Sequence, residues 1–422
     1  MRVLVVGSGG REHALAWALA RSPHVTHLLI APGNAGTAEL GENVPIPAND
    51  IAGLTALARE RRVDLVVVGP EEPLARGLAD QLRAAGIPTL GPDAAGARIE
   101  SSKAWAKEVM AAAGVPTARA QRFTRLADAL AALADWPTPV VVKASGLAAG
   151  KGVIVAGSRA EAEQALRWML EAGGLGEAGR EVLLEEYLEG REVSCFALTD
   201  GESVVPLLPA CDYKRVGDND TGPNTGGMGA YSPVPWLDAS QQQVVLERIM
   251  RPTLAELAQR GIRYRGILYA GLMMTADGPK VLEFNCRLGD PEAQAVLPLL
   301  ASDAAALFAA AALGELAHQP LPQWHDGAAV TVVLASGGYP GPSETGKPIS
   351  GLADLPEGVL AFHAGTRRDP DGTLRTAGGR VLALTARGRT IAEARALAYA
   401  AVARVQFPGM HYRRDIAARE LR

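Results

Sequence analysis

Twelve residues, EFNCRLGDPEAQ (283–294), bring Glu283, Asn285, Asp290 and Glu292 together around one arginine, Arg287. The preceding GPKVL makes this a strand leaving a turn, and residues two apart on a strand point to the same face. Glu283 and Asn285 then offer a carboxylate and an amide oxygen side by side. That pair suits Mg²⁺ or Mn²⁺, ions that complete their shells with water and phosphate oxygens. Arg287 continues the same face, placed to brace a phosphoryl group in transfer.

A second stretch fits the same chemistry. VVVKASGLAAGKGVIV (140–155) predicts a strand, a loop with Gly146, Gly150 and Gly152, and a returning strand. Lys143 leaves the first strand and Lys151 lies in the loop. A P-loop is excluded, because it needs a hydroxyl residue after the lysine and then a helix. A glycine-rich hairpin can instead lie over a triphosphate as a flap, its backbone N–H groups facing phosphate oxygens. Lys103 and Lys107 share one face of a helix predicted over SSKAWAKEVMAAAGVPT and capped by Ser101 or Ser102. Only seven of the 42 basic residues are lysines, and four of those fall between 103 and 151. Where arginine is the default cation, a lysine marks a place that wants a compact point charge.

Three further stretches could hold the rest of a nucleotide and its partner. LLEEYLEGREVS (183–194) puts Glu185 and Glu186 at a strand end, facing an adenine amino group, with Glu192 for ribose hydroxyls. The loop DYKRVGDNDTGPNTGGMGAYSP (212–233) is too long to be idle, and Asp212, Lys214 and its aromatic residues suggest order over an anionic substrate. VGSGGREHA (6–14) is a strand-to-helix turn where Gly9, Gly10 and Arg11 could meet an anion at the helix N-terminus. It fails as a dinucleotide fingerprint, because Glu12 stands at the third glycine and Ala31–Pro32 replace the ribose-binding acid. NAD and NADP are therefore not expected to bind. The loop GPEEPL (69–74) opens at the same sheet edge, so Glu71 or Glu72 can accept hydroxyl hydrogen bonds.

These residues need elements to carry them. RVLVVG, VTHLLIAPGN, VDLVVVGPEEP and IPTLGP alternate with helical patterns, which predicts a doubly wound parallel sheet over 1–100. A mixed region follows over 101–325, with the flap inside a subdomain at about 120–190. A compact α+β tail, 326–422, begins with AAVTVVLAS. At 422 residues several domains are expected, in an α/β multidomain chain. With 48% hydrophobic and 21% charged residues and a net charge of −4, nothing points to nucleic acid. Three dispersed cysteines fit a reducing, cytoplasmic setting, and no apolar run is long enough for a membrane.

KASGLAAGKGV, NTGGMGAYSP and above all RLGDPEAQ resemble the phosphoribosylamine–glycine ligases (glycinamide ribonucleotide synthetases), ATP-grasp enzymes of purine synthesis. The similarity runs the whole chain, from VLVVGSGGREHA to VVLASGGYPG. It implies a central ATP-grasp fold, two α+β subdomains clamping ATP, between the N-terminal acceptor-binding domain and the C-terminal domain. It implies ATP, glycine and 5-phosphoribosylamine as substrates, Mg²⁺ or Mn²⁺ as cofactor, a glycyl phosphate intermediate, and a monomer. By position, Lys103 and Lys143 would hold phosphates, Glu185, Glu186 and Leu188 the adenine, Glu192 the ribose, and Glu283 and Asn285 the metal. Arg287, Lys143 and Asp290 stand as the catalytic set. The acceptor phosphate would sit at Gly9–Arg11, distant from Arg287. One departure is that ILYAGLMM (267–274) lacks the second metal carboxylate many relatives carry, for which Asp290, Glu292 or Asp212 could substitute.

Overall fold

The computed structural model describes residues 1–148 and 150–421. The run RVLVVG forms the strand Arg2–Gly7, the centre of a five-stranded parallel sheet. Its order is Glu42–Asn43, His27–Pro32, Arg2–Gly7, Leu65–Val68, Thr89–Leu90. Val3 to Val6 are wholly buried, as a strand covered on both faces requires. The turn before helix Gly10–Ala20 and the segment 69–71 leave this sheet at the same carboxyl edge.

Two antiparallel sheets follow. The first has the order Ala120–Phe123, Val182–Glu186, Val140–Ala144, Val153–Ala156, backed by helices Leu126–Leu133 and Arg159–Leu170. It has a core of its own, with Trp136, Val142, Leu166 and Leu184 at its centre. The second sheet runs Val204–Pro206, Arg191–Thr199, Gly266–Thr275, Gly278–Asn285. In its last pair Gly271 faces Glu283 and Leu272 faces Val281, so Leu282 is an extra residue in a bulge.

The third antiparallel sheet runs Cys211–Asp212, Gly229–Ser232, Ala328–Ala335, Arg380–Gly388, Leu360–His363, with helix Ile391–Val402 packed on it. Two of its strands come from the long glycine-rich loop. The sheet therefore crosses the 325/326 break read from the sequence. Gly229 pairs with Val332 about a hundred residues away, which no local pattern announces.

A histidine pair joins the N- and C-terminal parts. The His363 backbone N–H donates to Nδ1 of His13 at 2.7 Å, with ring centroids 5.6 Å apart. Burial, helped by His363, pushes His13 down to about 3, and burial pushes His363 to about 4. Both stay neutral in the fold, whereas the unfolded chain protonates them below about pH 6.5. The unfolded state then binds more protons, so stability falls as pH drops from about 6.5 towards 4. Thermal unfolding is expected to shift to lower temperature between pH 7 and 5. His13→Asn should flatten that slope, and an unchanged slope would place the protons elsewhere.

Candidate active site

A cleft of about 770 Å³ runs between the first two antiparallel sheets and reaches the N- and C-terminal parts. Glu283 enters it from the bulged strand. Burial opposes its ionisation, but Lys214, Lys103, Lys143 and Arg287 hold it below the usual carboxylate range. Lys143 Nζ donates to the bulge carbonyl of Leu282 at 2.9 Å, and Lys103 Nζ donates to the Gly146 carbonyl at 3.3 Å. Ser102 caps the Lys103 helix, accepting from the Trp105 N–H at 3.2 Å. Glu283 and Asn285 both line the cleft, and a carboxylate and an amide oxygen are the hard donors a magnesium-like ion takes. Among the described residues no group of three His, Cys, Asp or Glu could hold an ion by itself. Such an ion would need phosphate and water for its remaining ligands, which is the habit of magnesium.

At the lid end Leu188 packs with Ala118, Met273 and Leu282 into an apolar slot suited to a flat base. Met273 and Leu282 escaped the sequence reading, since nothing local separates a slot-lining residue from a core one. Glu185 lines the cleft at 1% exposure. One carboxylate oxygen pairs with Lys143 at 2.8 Å, while the other lies 3.3 Å from Lys107 and has no hydrogen-bond partner among the described residues. Burial lowers Lys107 to about 8, opposed by that carboxylate. Glu186 lies 3.8 Å from Lys280, and Glu192 accepts from Lys214 at 2.9 Å. Gly150 and Gly152 line the cleft, but Lys151 is exposed and does not, which corrects its assignment to the phosphates.

The opposite end overturns the supposed separation of Arg287 from the N-terminal turn. Arg287 donates to Glu71 at 3.2 Å, to Glu100 at 2.6 Å and to Asn285 at 3.3 Å. Its last nitrogen reaches the Leu288 carbonyl at 3.2 Å. The guanidinium is therefore clamped between acids rather than free to brace a phosphoryl group, a second correction. Arg11 donates to that same carbonyl at 3.2 Å, so the turn and the RLGDPE segment touch. Glu71 faces the cleft, held down to about 2 by Arg287 and Arg11 against the opposing effect of burial. Glu72 points outward to Arg76 at 2.6 Å.

The turn itself is not an open anion site, which is the third correction. Glu12 accepts the Gly9 N–H and the Arg11 Nε, both at 2.6 Å. A Cβ on Gly7 or Gly69 would collide with the Glu12 side chain, so these glycines exist to admit it. Glu12 thus takes up donors that an anion at this turn would use. The Asp290 carboxylate also lies against Gly9, bonded to Gln294 at 2.8 Å and Arg380 at 3.2 Å. Arg380 is a cleft residue that the sequence reading missed, because it belongs to a strand about ninety residues away.

Between the two ends sits a buried mixed cluster. Glu292 accepts from Tyr269 at 2.9 Å and Ser194 at 3.2 Å, and Lys214 lies 3.8 Å from Asp212. Burial raises Asp212 to about 7, with Lys214 opposing and Glu292, Glu192 and Glu283 adding to the rise.

The chain matches the phosphoribosylglycinamide synthetase family models over all three of its parts. These are the N domain at 1–100, the ATP-grasp (A) domain at 101–293 and the C domain at 329–419. It is 50% identical to the phosphoribosylamine–glycine ligase of Synechocystis, covering 100% of both chains. It is 52% identical to that of Mycobacterium leprae, over 99% of this chain and 97% of the other. The crystal structure of the Thermotoga maritima phosphoribosylamine–glycine ligase superposes with a TM-score of 0.87 at 35% identity, covering 99% and 100%. The biotin carboxylase domain of Hydrogenobacter thermophilus 2-oxoglutarate carboxylase shares the fold alone, at TM-score 0.73, 17% identity and coverage of 97% and 91%. The chain belongs to the phosphoribosylglycinamide synthetase family, with the ATP-grasp fold at its centre.

Proposed function

We propose that the protein joins glycine to 5-phosphoribosylamine, giving glycinamide ribonucleotide, ADP and phosphate. The observation that carries this is one continuous cleft. It joins an ionised Glu283 beside two lysines to an acceptor end where Glu71, Arg11 and Arg287 meet.

A carboxylate resists an amine until one oxygen becomes a good leaving group. A glycine carboxylate oxygen attacks the γ-phosphorus, the bond to ADP breaks, and glycyl phosphate forms. The amine of phosphoribosylamine then attacks the carbonyl, the C–N bond forms, phosphate leaves, and the amine loses a proton. Phosphoryl transfer needs alignment and charge neutralisation more than a protein nucleophile. Lys103 and Lys143 supply point charges at the phosphates, and Leu188, Met273 and Leu282 hold the base. Glu283 and Asn285 would hold Mg²⁺ or Mn²⁺, which would neutralise phosphate charge when bound. Asp212, Lys214 and Glu292 border the glycine between the two ends. Glu71 takes ribose hydroxyls of the acceptor, and Arg287 positions Glu71 and Asn285 so that both ends form together. All substrates are small molecules, and the cleft residues given these roles belong to one chain, which supports a monomer as the working unit. ADP release should require glycine and phosphoribosylamine together. Stoichiometric AMP would overturn the acyl-phosphate route.

The flap makes a separate prediction. Gly150 has φ of +77°, and a Cβ there would lie 3.1 Å from the Thr225 carbonyl. Proline fixes φ near −65°, so Gly150→Pro cannot keep this shape. Turnover at saturating ATP should fall roughly tenfold through misplaced phosphates, with thermal stability little changed because the tip is exposed. Unchanged turnover would make the hairpin a mere surface feature.

A further inference from the structure

Residues 411–417 have no role in the ligation just described, yet they fasten the loop 212–226 at several points, and Arg419 and Glu420 beyond them border the cleft. His411 Nε2 lies 2.8 Å from the Val216 carbonyl, and the Arg414 N–H donates to Asp218 at 2.7 Å. Asp415 accepts the Asn219 N–H at 2.9 Å, and the Ala417 N–H donates to the Tyr213 hydroxyl at 2.9 Å. Arg413 stands at the centre of this strap with its side chain 0% exposed. Its guanidinium donates to the Arg215 carbonyl at 3.1 Å, to Asp220 at 2.9 Å and to Asp415 at 2.6 Å. It also lies 4.8 Å over the Tyr213 ring. Burying a guanidinium is costly unless its donors are used, and here they fix both the tail and the loop.

The inner side of the same loop faces the cleft. Lys214, next to Arg215, pairs with Glu192 at 2.9 Å and lines the cleft. Asn224 donates to the Val153 carbonyl at 3.4 Å, at the foot of the glycine-rich hairpin, and the Thr225 carbonyl lies against Gly150. One loop thus links the tail to the flap and a site lysine, and its own Arg215 and Asp220 also border the cleft.

We propose that Arg413 is a positioning residue for nucleotide binding. By fixing the Arg215–Asp220 arm, it holds Lys214 in the cleft and gives the glycine-rich hairpin its seat. The inference rests on reading the cleft as the ATP site of a ligase, and it assigns Arg413 no contact with substrate.

The test uses the full chain with Arg413→Met, Asp220→Asn and the double variant. Asp220 is partly exposed, so Asp220→Asn keeps the test alive if Arg413→Met does not fold. Losing the charge-assisted bond should weaken binding of a fluorescent ATP analogue about tenfold, as a dissociation constant. KM for ATP should rise by a similar factor, with KM for phosphoribosylamine within about twofold. The double variant should be little worse than Arg413→Met, because the two residues share one interaction. A merely structural role would lower the melting temperature and leave nucleotide affinity alone. That result, or equal damage to both KM values, would overturn the proposal. Nucleotide binding is read without acceptor. A wild type that binds the analogue but never releases ADP would therefore sink the ligase reading and leave this inference standing.

Discussion

Glu283→Gln is expected to lower turnover about a hundredfold while leaving the fold intact, an effect typical of removing one preorganised charge from a transition-state site. The amide keeps the size and one oxygen of the side chain but removes the negative charge. In the native protein that charge is maintained against burial by Lys214, Lys103, Lys143 and Arg287. Four cations facing a neutral amide repel one another and any divalent ion, so metal affinity should drop together with turnover. The loss should fall on kcat more than on KM for ATP, because the charge matters most while it shifts during phosphoryl transfer. Two readouts check this. One is Mn²⁺ binding followed by its paramagnetic signal in the presence of a non-hydrolysable ATP analogue. The other is turnover against Mg²⁺ concentration. Normal Mn²⁺ affinity with normal turnover would reduce the strand end to a turn.

What the sequence made legible was what repeats locally. Period-2 and unbroken apolar runs placed the parallel sheet, and the glycine-rich stretch between two strands placed the flap beside Lys143. Glu283 and Asn285 could be paired because a strand fixes the direction of alternate side chains. What stayed hidden was which partner each charged group would meet. Glu185 looks like any acid at a strand end until Lys107 and Lys143 close on it from a helix and a neighbouring strand. Glu12 looks like a defect in a nucleotide fingerprint until the space left by Gly7 and Gly69 shows that it is the intended filling. Arg380 and Arg413 gave no signal, since each acts on residues far away in the chain. The sharing of one sheet across the 325/326 break stayed hidden for the same reason. Strand pairing across about a hundred residues is decided by the assembled sheet, not by the composition of the linker.

The clamp on Arg287 changes what its replacement should do. An arginine free to meet a phosphoryl group would affect transfer and spare the acceptor. Instead its planar fork ties Glu71 of the N-terminal domain and Glu100 to Asn285, so one residue braces both ends of the cleft. Arg287→Lys keeps the charge, but a single ammonium cannot face both acids in the fork's geometry. Breaking such a buried set costs roughly 3 kcal/mol of stability, because one carboxylate is left poorly compensated. The same loss lets Glu71 and Asn285 drift, so kcat/KM for phosphoribosylamine should fall by about two orders of magnitude, as expected for reacting groups displaced by about an ångström. The stability loss should also depend on pH. Glu71 is held down to about 2 in the fold against an ordinary value of 4.5, so its pairing stabilises above about 4.5 and is lost as pH falls towards 2. The gap between the melting temperatures of wild type and Arg287→Lys should therefore be widest near neutral pH and narrow below about pH 4. Acceptor kinetics left untouched, with only metal or ATP dependence altered, would restore Arg287 to the phosphoryl group and remove it from the bridge.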